Sequence, residues 1–384
     1  MTAALSSARS GLRAPASALV TTTVVTLPAF LLGGLAVFVR QDLHIGDIAL
    51  GALVSIYFLV GALSSVPVGR LVERFGSART TMAGLTLGVL SLVGMALAAG
   101  YVFLLLALVI GGVGNAFGQL GSNRSLSEEV PAHRQGLAFG VKQAAVPGGT
   151  LLAGAAVPAL GATIGWRWAF GLAAVIALSG FPLVPRRADA GARDHRVTGA
   201  LPLVVIAVSA TLAAGSANAL STFLVLWGVG SGLTPGAAAV ILAVGGITGV
   251  AARVGSGWWA DHRGRGHLAV VSLQLVGGAA GLWLIAAGHP VPIVIGTVLG
   301  YGLGWSWPGL LNYAIVRSHT SAPAAATSIV QVGVYAGGAV GPLGFGFLAE
   351  TLSYPAAWRV AAIASCAAAV TLGFGAWLLR RHAR

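Results

Sequence analysis

Long hydrophobic runs separated by short polar segments occupy most of the chain. A helix needs about 20 apolar residues to cross the hydrocarbon core of a bilayer. Runs of this length predict twelve membrane-spanning helices. Their expected limits are 18–39, 48–70, 80–99, 101–123, 136–159, 167–184, 200–227, 236–259, 268–287, 290–315, 323–349 and 356–379. The first run follows Arg9 and Arg13 as in a secretory signal, but its length and its lack of a small-x-small cleavage site predict a retained span.

Composition agrees with lipid as the main solvent. Only 8% of the 384 residues are charged and the mean hydropathy is +0.89, whereas soluble domains carry about 25% charged residues. The 57 glycines show no period of three, so they indicate close helix packing in a membrane. The net charge of +13 lies in short loops, which argues against a nucleic-acid partner.

Basic residues predict the orientation, because loops that stay in the cytoplasm retain positive charge. With the N-terminus inside, 17 arginines fall on the inner side and three on the outer side. The outer three are Arg40, Arg167 and Arg359. We therefore expect a multi-pass protein of a bacterial inner membrane with both termini cytoplasmic.

The chain divides into two related halves. The polar segment 185–199 predicts a cytoplasmic linker between a domain of residues 1–184 and a domain of residues 200–384. Several residues recur at an offset of 188: Gly69, Glu73, Gly76 and Gln143 correspond to Gly257, Asp261, Gly264 and Gln331. Trp166-Arg167 and Trp358-Arg359 recur at an offset of 192. Duplication of a six-helix unit accounts for this repeat.

Two loop segments resemble a signature of the major facilitator superfamily. GRLVERFG, followed by Arg79, is similar to that family's G-x-L-x-D-R-x-G-R loop, and GWWADHRGR is a weaker copy. The resemblance implies an all-α fold of two pseudo-symmetric six-helix bundles and secondary transport by alternating access. It also implies that these loops act as latches on the cytoplasmic side. The latch residues would be Gly69, Glu73, Arg74, Gly76, Arg79, Gly257, Asp261 and Arg263.

Two cations fall within predicted spans. Arg253 and Lys142 each lie eight residues from a cytoplasmic boundary, about 12 Å at 1.5 Å per residue. Ionisable groups at this depth are costly and are candidates for function. No carboxylate falls in a span, so an anionic substrate would neutralise them. Two alternatives remain: Lys142 snorkels to the headgroups, or Arg253 is a structural residue bonded to helix-end carbonyls.

The spacing Arg253, Gly257, Asp261 resembles that of monocarboxylate and oxalate carriers and of nitrate or cyanate permeases. Uncharged polar residues complete the candidate substrate site, and each could instead link helices. They are Gln143, Asn115, Gln119, Asn218 and Gln331, with Asn123 continuing a stripe of spacing i, i+4, i+8 on span four. We interpret Trp305 and Trp307 as part of an aromatic gate or as a lipid-interface anchor.

Other function classes fit less well. The eight histidines lie in loops or tails, and the single cysteine, Cys366, is expected to be a packing residue. We therefore expect no enzyme activity, metal or cofactor. The duplicated halves favour alternating access over a channel. Drug or metabolite efflux by antiport is the main alternative. The expected partners are a small anionic substrate, a coupling proton or counter-substrate, and the lipid bilayer. We expect the protein to be a monomer.

The charge distribution makes a testable prediction about topology. Reporter fusions at His195 and Arg384 should both be active on the cytoplasmic side, because both positions adjoin arginine clusters. A fusion at Asp42, in the first outer loop, is the control and should report the other side. Either of the first two reporters outside the cell would contradict the predicted orientation.

Overall fold

The computed structural model describes residues 2–184, 200–319 and 323–382, and these residues form helices and connections without a strand. The first half contains α1 (Thr2–Gly34), α2 (Ala36–Leu43), α3 (Asp47–Ala96), α4 (Tyr101–Glu129), α5 (Gln135–Ala156) and α6 (Trp166–Ala177). The second half contains α7 (Ala200–Gly230), α8 (Pro235–His262), α9 (His267–Ile285), α10 (Pro290–Leu299), α11 (Trp307–Ser318), α12 (Pro323–Thr351) and α13 (Tyr354–His382). The predicted linker 185–199 and Arg384 lie outside the described residues, so the domain boundaries stay a prediction.

The described helices account for twelve crossings. Ten helices are long and apolar enough to cross a membrane. One of them, α3, has 50 residues, about 75 Å at 1.5 Å per residue, which is more than twice the thickness of the hydrocarbon core. Gly76, with φ of 83°, breaks α3 into two spans. Spans two and three are therefore joined by a kink at a glycine, which tolerates positive φ, and not by the nine-residue loop expected.

The tenth span is also interrupted. A π-helical turn, Gly300–Gly304, follows α10, and α11 begins at Trp307. Pro308 has no N–H with which to continue the hydrogen-bond ladder from the preceding turn. The break leaves the carbonyl oxygen of Trp305 available to a side chain, and Arg253 donates to it.

Glycines allow the two halves to approach closely along α5 and α8. A Cβ atom at Gly257 would lie 2.5 Å from the carbonyl oxygen of Gly136 and 3.1 Å from Cα of Gly140. At the other membrane face, a Cβ atom at Gly51 of α3 would lie 2.8 Å from the carbonyl oxygen of Pro342 in α12. Close backbone approach of this kind is how helices associate in lipid.

The outer surface of the bundle is apolar, as a lipid-facing surface requires. Leu63 is 71% exposed, Val370 is 75% exposed and Trp168 is 63% exposed. Cys366 is exposed as well, so its expected packing role is wrong. Cys366 lies on the outward side of α13, and a free cysteine behaves as a small hydrophobic residue that is compatible with lipid as well as with a protein core.

Substituting Gly257 tests the contact between α5 and α8. Gly257→Ala should lower the melting temperature in detergent, because overpacking a tight contact costs about 1–3 kcal/mol. Gly255→Ala is the matched control on the same helix, since its Cβ atom would meet nothing within 4 Å. That control should be neutral or stabilising by about 0.5–1 kcal/mol. Equal melting temperatures for the two variants would contradict the close approach.

Candidate functional site

Arg253 is buried where the two halves meet. It is 1% exposed, and its Nε donates to the carbonyl oxygen of Trp305 at 2.9 Å. Its Nη2 donates to the same oxygen, while Nη1 donates to the carbonyl oxygen of Gln143 in the first half. The guanidinium carbon also lies 5.4 Å from the centroid of the Trp305 ring. Arg253 therefore links α8, the break in the tenth span and α5, with two of its five N–H donors left over.

Lys142 is buried in the first half and is 0% exposed. Its Nζ donates to the carbonyl oxygen of Gln119 at 3.2 Å and to Oδ1 of Asn123. Both partners belong to α4, so the snorkelling alternative is wrong: the ammonium turns toward a neighbouring helix and not toward the headgroups. One of its three N–H donors has no partner among the described residues.

No carboxylate within the described ranges forms an ion pair with either cation. The ion pairs there join Arg40 to Asp47, Arg124 to Glu73 and Glu128, and Arg167 to Asp42. A buried charge is costly unless it is paired or hydrogen-bonded. Lys142 and Arg253 have hydrogen bonds to neutral oxygen atoms and no compensating negative charge from these residues.

The polar stripe on α4 adjoins Lys142. Asn115, Gln119 and Asn123 are 1%, 4% and 6% exposed. Because Oδ1 of Asn123 accepts from Lys142, its Nδ2 is directed elsewhere and has no partner in the described protein. Oδ1 of Asn115 and Oε1 of Gln119 likewise lack a described donor. The stripe reaches the second half, since the Tyr335 hydroxyl donates to the carbonyl oxygen of Asn115 at 3.4 Å.

The remaining candidate polar residues are buried in separate helices. Asn218 donates to the carbonyl oxygen of Ala214 on its own helix at 2.8 Å, a bond that satisfies it locally. Gln143 is 5% exposed and Gln331 is 6% exposed. The main-chain carbonyl oxygen of Gln143 accepts from Arg253 and so belongs to the site. The side chain of Gln143 gives no indication of this role.

An aromatic group surrounds Trp305. Trp305 and Trp307 are 4% and 2% exposed, so they are not lipid-interface anchors. The Trp305 ring centroid lies 5.3 Å from that of Phe30 in the first half and 5.1 Å from that of Tyr301. Phe30, Tyr301 and Tyr335 were not singled out from the sequence, because an aromatic residue in an apolar run has no distinguishing pattern.

Asp261 joins the halves at one membrane face. We call this face, which carries Arg13, Asp261 and Arg317, the basic face. Oδ1 and Oδ2 of Asp261 accept from the backbone N–H groups of Gly136 and Leu137, each at 2.8 Å. These groups begin α5, and a carboxylate is favourable at a helix N-terminus.

The first loop copy makes different contacts from those expected. Glu73 lies 3.5 Å from Nη1 of Arg124, not beside Arg74 or Arg79. Arg124, expected in a loop, lies within α4 with a side chain only 6% exposed, and it also pairs with Glu128. Its burial follows from three acceptors around it, the third being the carbonyl oxygen of Val72.

The other latch residues divide by environment. Arg74 and Arg79 are exposed, and the Arg74 guanidinium lies 5.3 Å from the centroid of the Phe75 ring. Arg263 lies 5.7 Å from the centroid of the Trp259 ring. A Cβ atom at Gly69 would meet nothing within 4 Å, so of the two corresponding loop glycines only Gly257 lies at a close helix contact.

Two six-helix halves with the buried Arg253 bonded between them define a multi-pass membrane protein. The model of the Major Facilitator Superfamily matches residues 18–314. The chain belongs to this superfamily, which confirms the resemblance seen in the loop signatures.

Two curated proteins show partial similarity. "Uncharacterized MFS-type transporter Rv1250" of Mycobacterium tuberculosis is 30% identical over 34% of this chain and 23% of its own length. "Putative metabolite transport protein YwtG" of Bacillus subtilis is 29% identical over 38% of this chain and 32% of its own length. The chain thus spans between about a quarter and a third of the relatives that it matches.

Neutralising Asp261 tests its role in closing the basic face. Asp261→Asn removes the charge and one acceptor oxygen, so the basic face should open more often. A hydrogen bond to a charged group contributes about 1.5–3 kcal/mol, which predicts at least a tenfold rise in thiol labelling of a cysteine at Ala138. Ala138 is 5% exposed on α5, and Cys366→Ser provides a cysteine-free background.

Glu128→Gln is the matched control, because Glu128 bonds to Arg124 within α4. It should leave the labelling of Ala138→Cys unchanged. Glu73→Gln should have a smaller effect than Asp261→Asn, since its described partner also belongs to the first half. Unchanged labelling in Asp261→Asn would remove Asp261 from the latch.

Proposed function

We propose that this protein is a secondary transporter that moves a small anion by alternating access across a bacterial inner membrane, with both termini cytoplasmic. The observation that carries the proposal is the burial of Arg253 and Lys142 without an ion-paired carboxylate in the described chain. A bound anion would supply the negative charge that the surrounding side chains lack.

The orientation of Asn123 supports an anionic ligand. Lys142 fixes Oδ1 of Asn123 as an acceptor, so Nδ2 is a donor. That amide, the third N–H of Lys142 and the two remaining N–H donors of Arg253 are available to acceptor atoms of a ligand. A carboxylate offers about four acceptor positions on two oxygen atoms, which makes a small carboxylate a suitable substrate.

The acceptor atoms on α4 suggest a further property of this substrate. Gln119 Oε1 and Asn115 Oδ1 lie one and two helical turns from Asn123, and neither has a described donor. A ligand hydroxyl group could donate to either oxygen. A site that contains such acceptors discriminates against an analogue without the hydroxyl group. We therefore rank hydroxycarboxylates above unsubstituted carboxylates and above inorganic anions such as nitrate.

Efflux of a drug or metabolite by antiport is the alternative. It draws support from Arg253, since three of its donors already bond to backbone carbonyls and it would then be a structural residue. The name of the Bacillus subtilis relative, which mentions metabolite transport, is compatible with either function. A cationic drug would be repelled by two uncompensated positive charges, so the geometry favours the anion.

Proteoliposome uptake tests the proposal with lactate, propionate, nitrate and a cationic dye. Lactate should be taken up in preference to propionate. Arg253→Ala should reduce its uptake at least tenfold, about 1.4 kcal/mol. Arg253→Lys should be nearly as impaired, because an ammonium group lacks the planar fork that binds a carboxylate bidentately. Lys142→Ala should weaken affinity less, because Lys142 acts as a point charge.

Arg359→Ala is the matched control, since Arg359 is exposed and lies outside the site. All variants need the same monodisperse elution as the parent protein. Wild-type uptake of a neutral or cationic substrate by Arg253→Ala would show that Arg253 is structural and that the anion proposal is wrong.

A further inference from the structure

A buried carboxylate joins the two halves at the face opposite the basic face. We call this the distal face; it carries Arg40, Arg167 and Glu350. Asp47, the first residue of α3, is only 7% exposed, although the sequence placed it in a loop. Its Oδ2 accepts from the hydroxyl group of Tyr354 in the second half at 3.0 Å, and its Oδ1 lies 2.6 Å from Nη1 of Arg40.

A second carboxylate reinforces the same contact. Glu350, near the C-terminal end of α12, accepts from the backbone N–H of Ile48 at 2.9 Å. A Cβ atom at Gly46 would lie 3.1 Å from Oε1 of Glu350, so a larger residue there would crowd the carboxylate. Glu350 therefore occupies the N-terminus of α3, where the helix dipole favours a negative charge.

The arrangement corresponds to that of Asp261 on the basic face. In both places a carboxylate near the C-terminal end of a second-half helix accepts from backbone N–H groups that begin a first-half helix. The two membrane faces are thus held by the same kind of bond. The distal face also has the contacts of Asp47 with Tyr354 and Arg40.

Tyr354 is held rigidly in the second half. Its ring stacks on Trp227 with centroids 5.3 Å apart and an interplanar angle of 9°. Phe345 and Phe223 pack against its edge, with centroids 6.0 Å and 6.4 Å away. The hydroxyl group therefore moves with the second half, and it must separate from Asp47 if the halves part at this face.

We propose that Asp47, Tyr354 and Glu350 form a distal latch that holds this face closed and must break before the distal face opens. Alternating access requires each face to open while the other stays shut. The balance between the distal latch and the Asp261 contact then sets the populations of the two open states, because differential contacts determine such an equilibrium. The proposal does not depend on which substrate is carried.

Thiol labelling of Ser55→Cys in a Cys366→Ser background measures opening of the distal face. Ser55 is 7% exposed and lies one turn after Gly51, on the side of α3 that meets α12. Tyr354→Phe removes the hydroxyl group and keeps the aromatic stack. We expect it to raise the labelling rate at least tenfold, as for Asp261→Asn, because the lost hydrogen bond is made to a charged carboxylate.

Asp47→Asn should raise the rate at least as much, because it also breaks the ion pair with Arg40. Combining it with Tyr354→Phe should add less than the product of the two single effects, since the residues share one bond. Glu350→Gln should have a smaller effect, because Glu350 and the bond that it makes are exposed to solvent.

Asp42→Asn is the matched control on the same face. Asp42 bonds to Arg167 at 2.8 Å and to Trp166, all within the first half, and its hydrogen bond from Arg167 lowers the pKa of Asp42. The control removes the same charge and breaks an ion pair without touching the contact between the halves. It should leave labelling of Ser55→Cys unchanged.

Unchanged labelling in Tyr354→Phe would overturn the proposal, even if Asp47→Asn failed to fold. A rise in Asp42→Asn equal to that in Asp47→Asn would overturn it as well, because the effect would then reflect charge at this face and not contact between the halves. A rise confined to the latch variants, with Ala138→Cys labelling not increased, would support it.

Discussion

A guanidinium group buried at membrane depth requires hydrogen-bond partners, and Arg253 obtains them from both halves of the molecule. One partner, the carbonyl oxygen of Trp305, is available because the tenth span is broken before Trp307. The other, the carbonyl oxygen of Gln143, is reached because α5 and α8 approach closely: a Cβ atom at Gly140 would lie 2.6 Å from the carbonyl oxygen of Arg253. The helix break, the glycine contact and the buried charge therefore depend on one another.

The carboxylates that join the halves at the two faces, Asp261 and Glu350, have backbone N–H groups as their first-half partners. Asp261 and Glu350 both accept from the first turn of a helix, where four N–H groups have no partner within the helix. Such donors remain in place when neighbouring side chains change rotamer, so the geometry of the contact depends on how the helices dock. A contact of this kind is formed or broken by movement of a whole half, which is the motion that alternating access requires.

Hydrophobic runs were sufficient to predict the helical fold, because lipid imposes strong constraints on a spanning segment. Features that depend on tertiary neighbours were not predictable in this way. Gly76 joins two spans without a loop. The sequence could not predict this, because only the backbone conformation distinguishes a kink from a turn. Arg124 was expected in a loop, because its contacts with Glu73 and Glu128 form only in the folded chain. The stripe of Asn115, Gln119 and Asn123 followed from spacing, whereas its contact with Lys142 did not.

The two cations occupy different positions relative to α5, and this difference connects substrate binding to movement under the proposed function. Lys142 extends from α5 to α4 within the first half, whereas the next residue, Gln143, offers its carbonyl oxygen to Arg253 in the second. An anion bound by the two remaining N–H donors of Arg253 would share Nη1 with that carbonyl oxygen and would weaken one bond between the halves. An anion held by Lys142 alone would leave this bond intact. Arg253 is therefore the residue through which occupancy of the site can change the affinity of one half for the other.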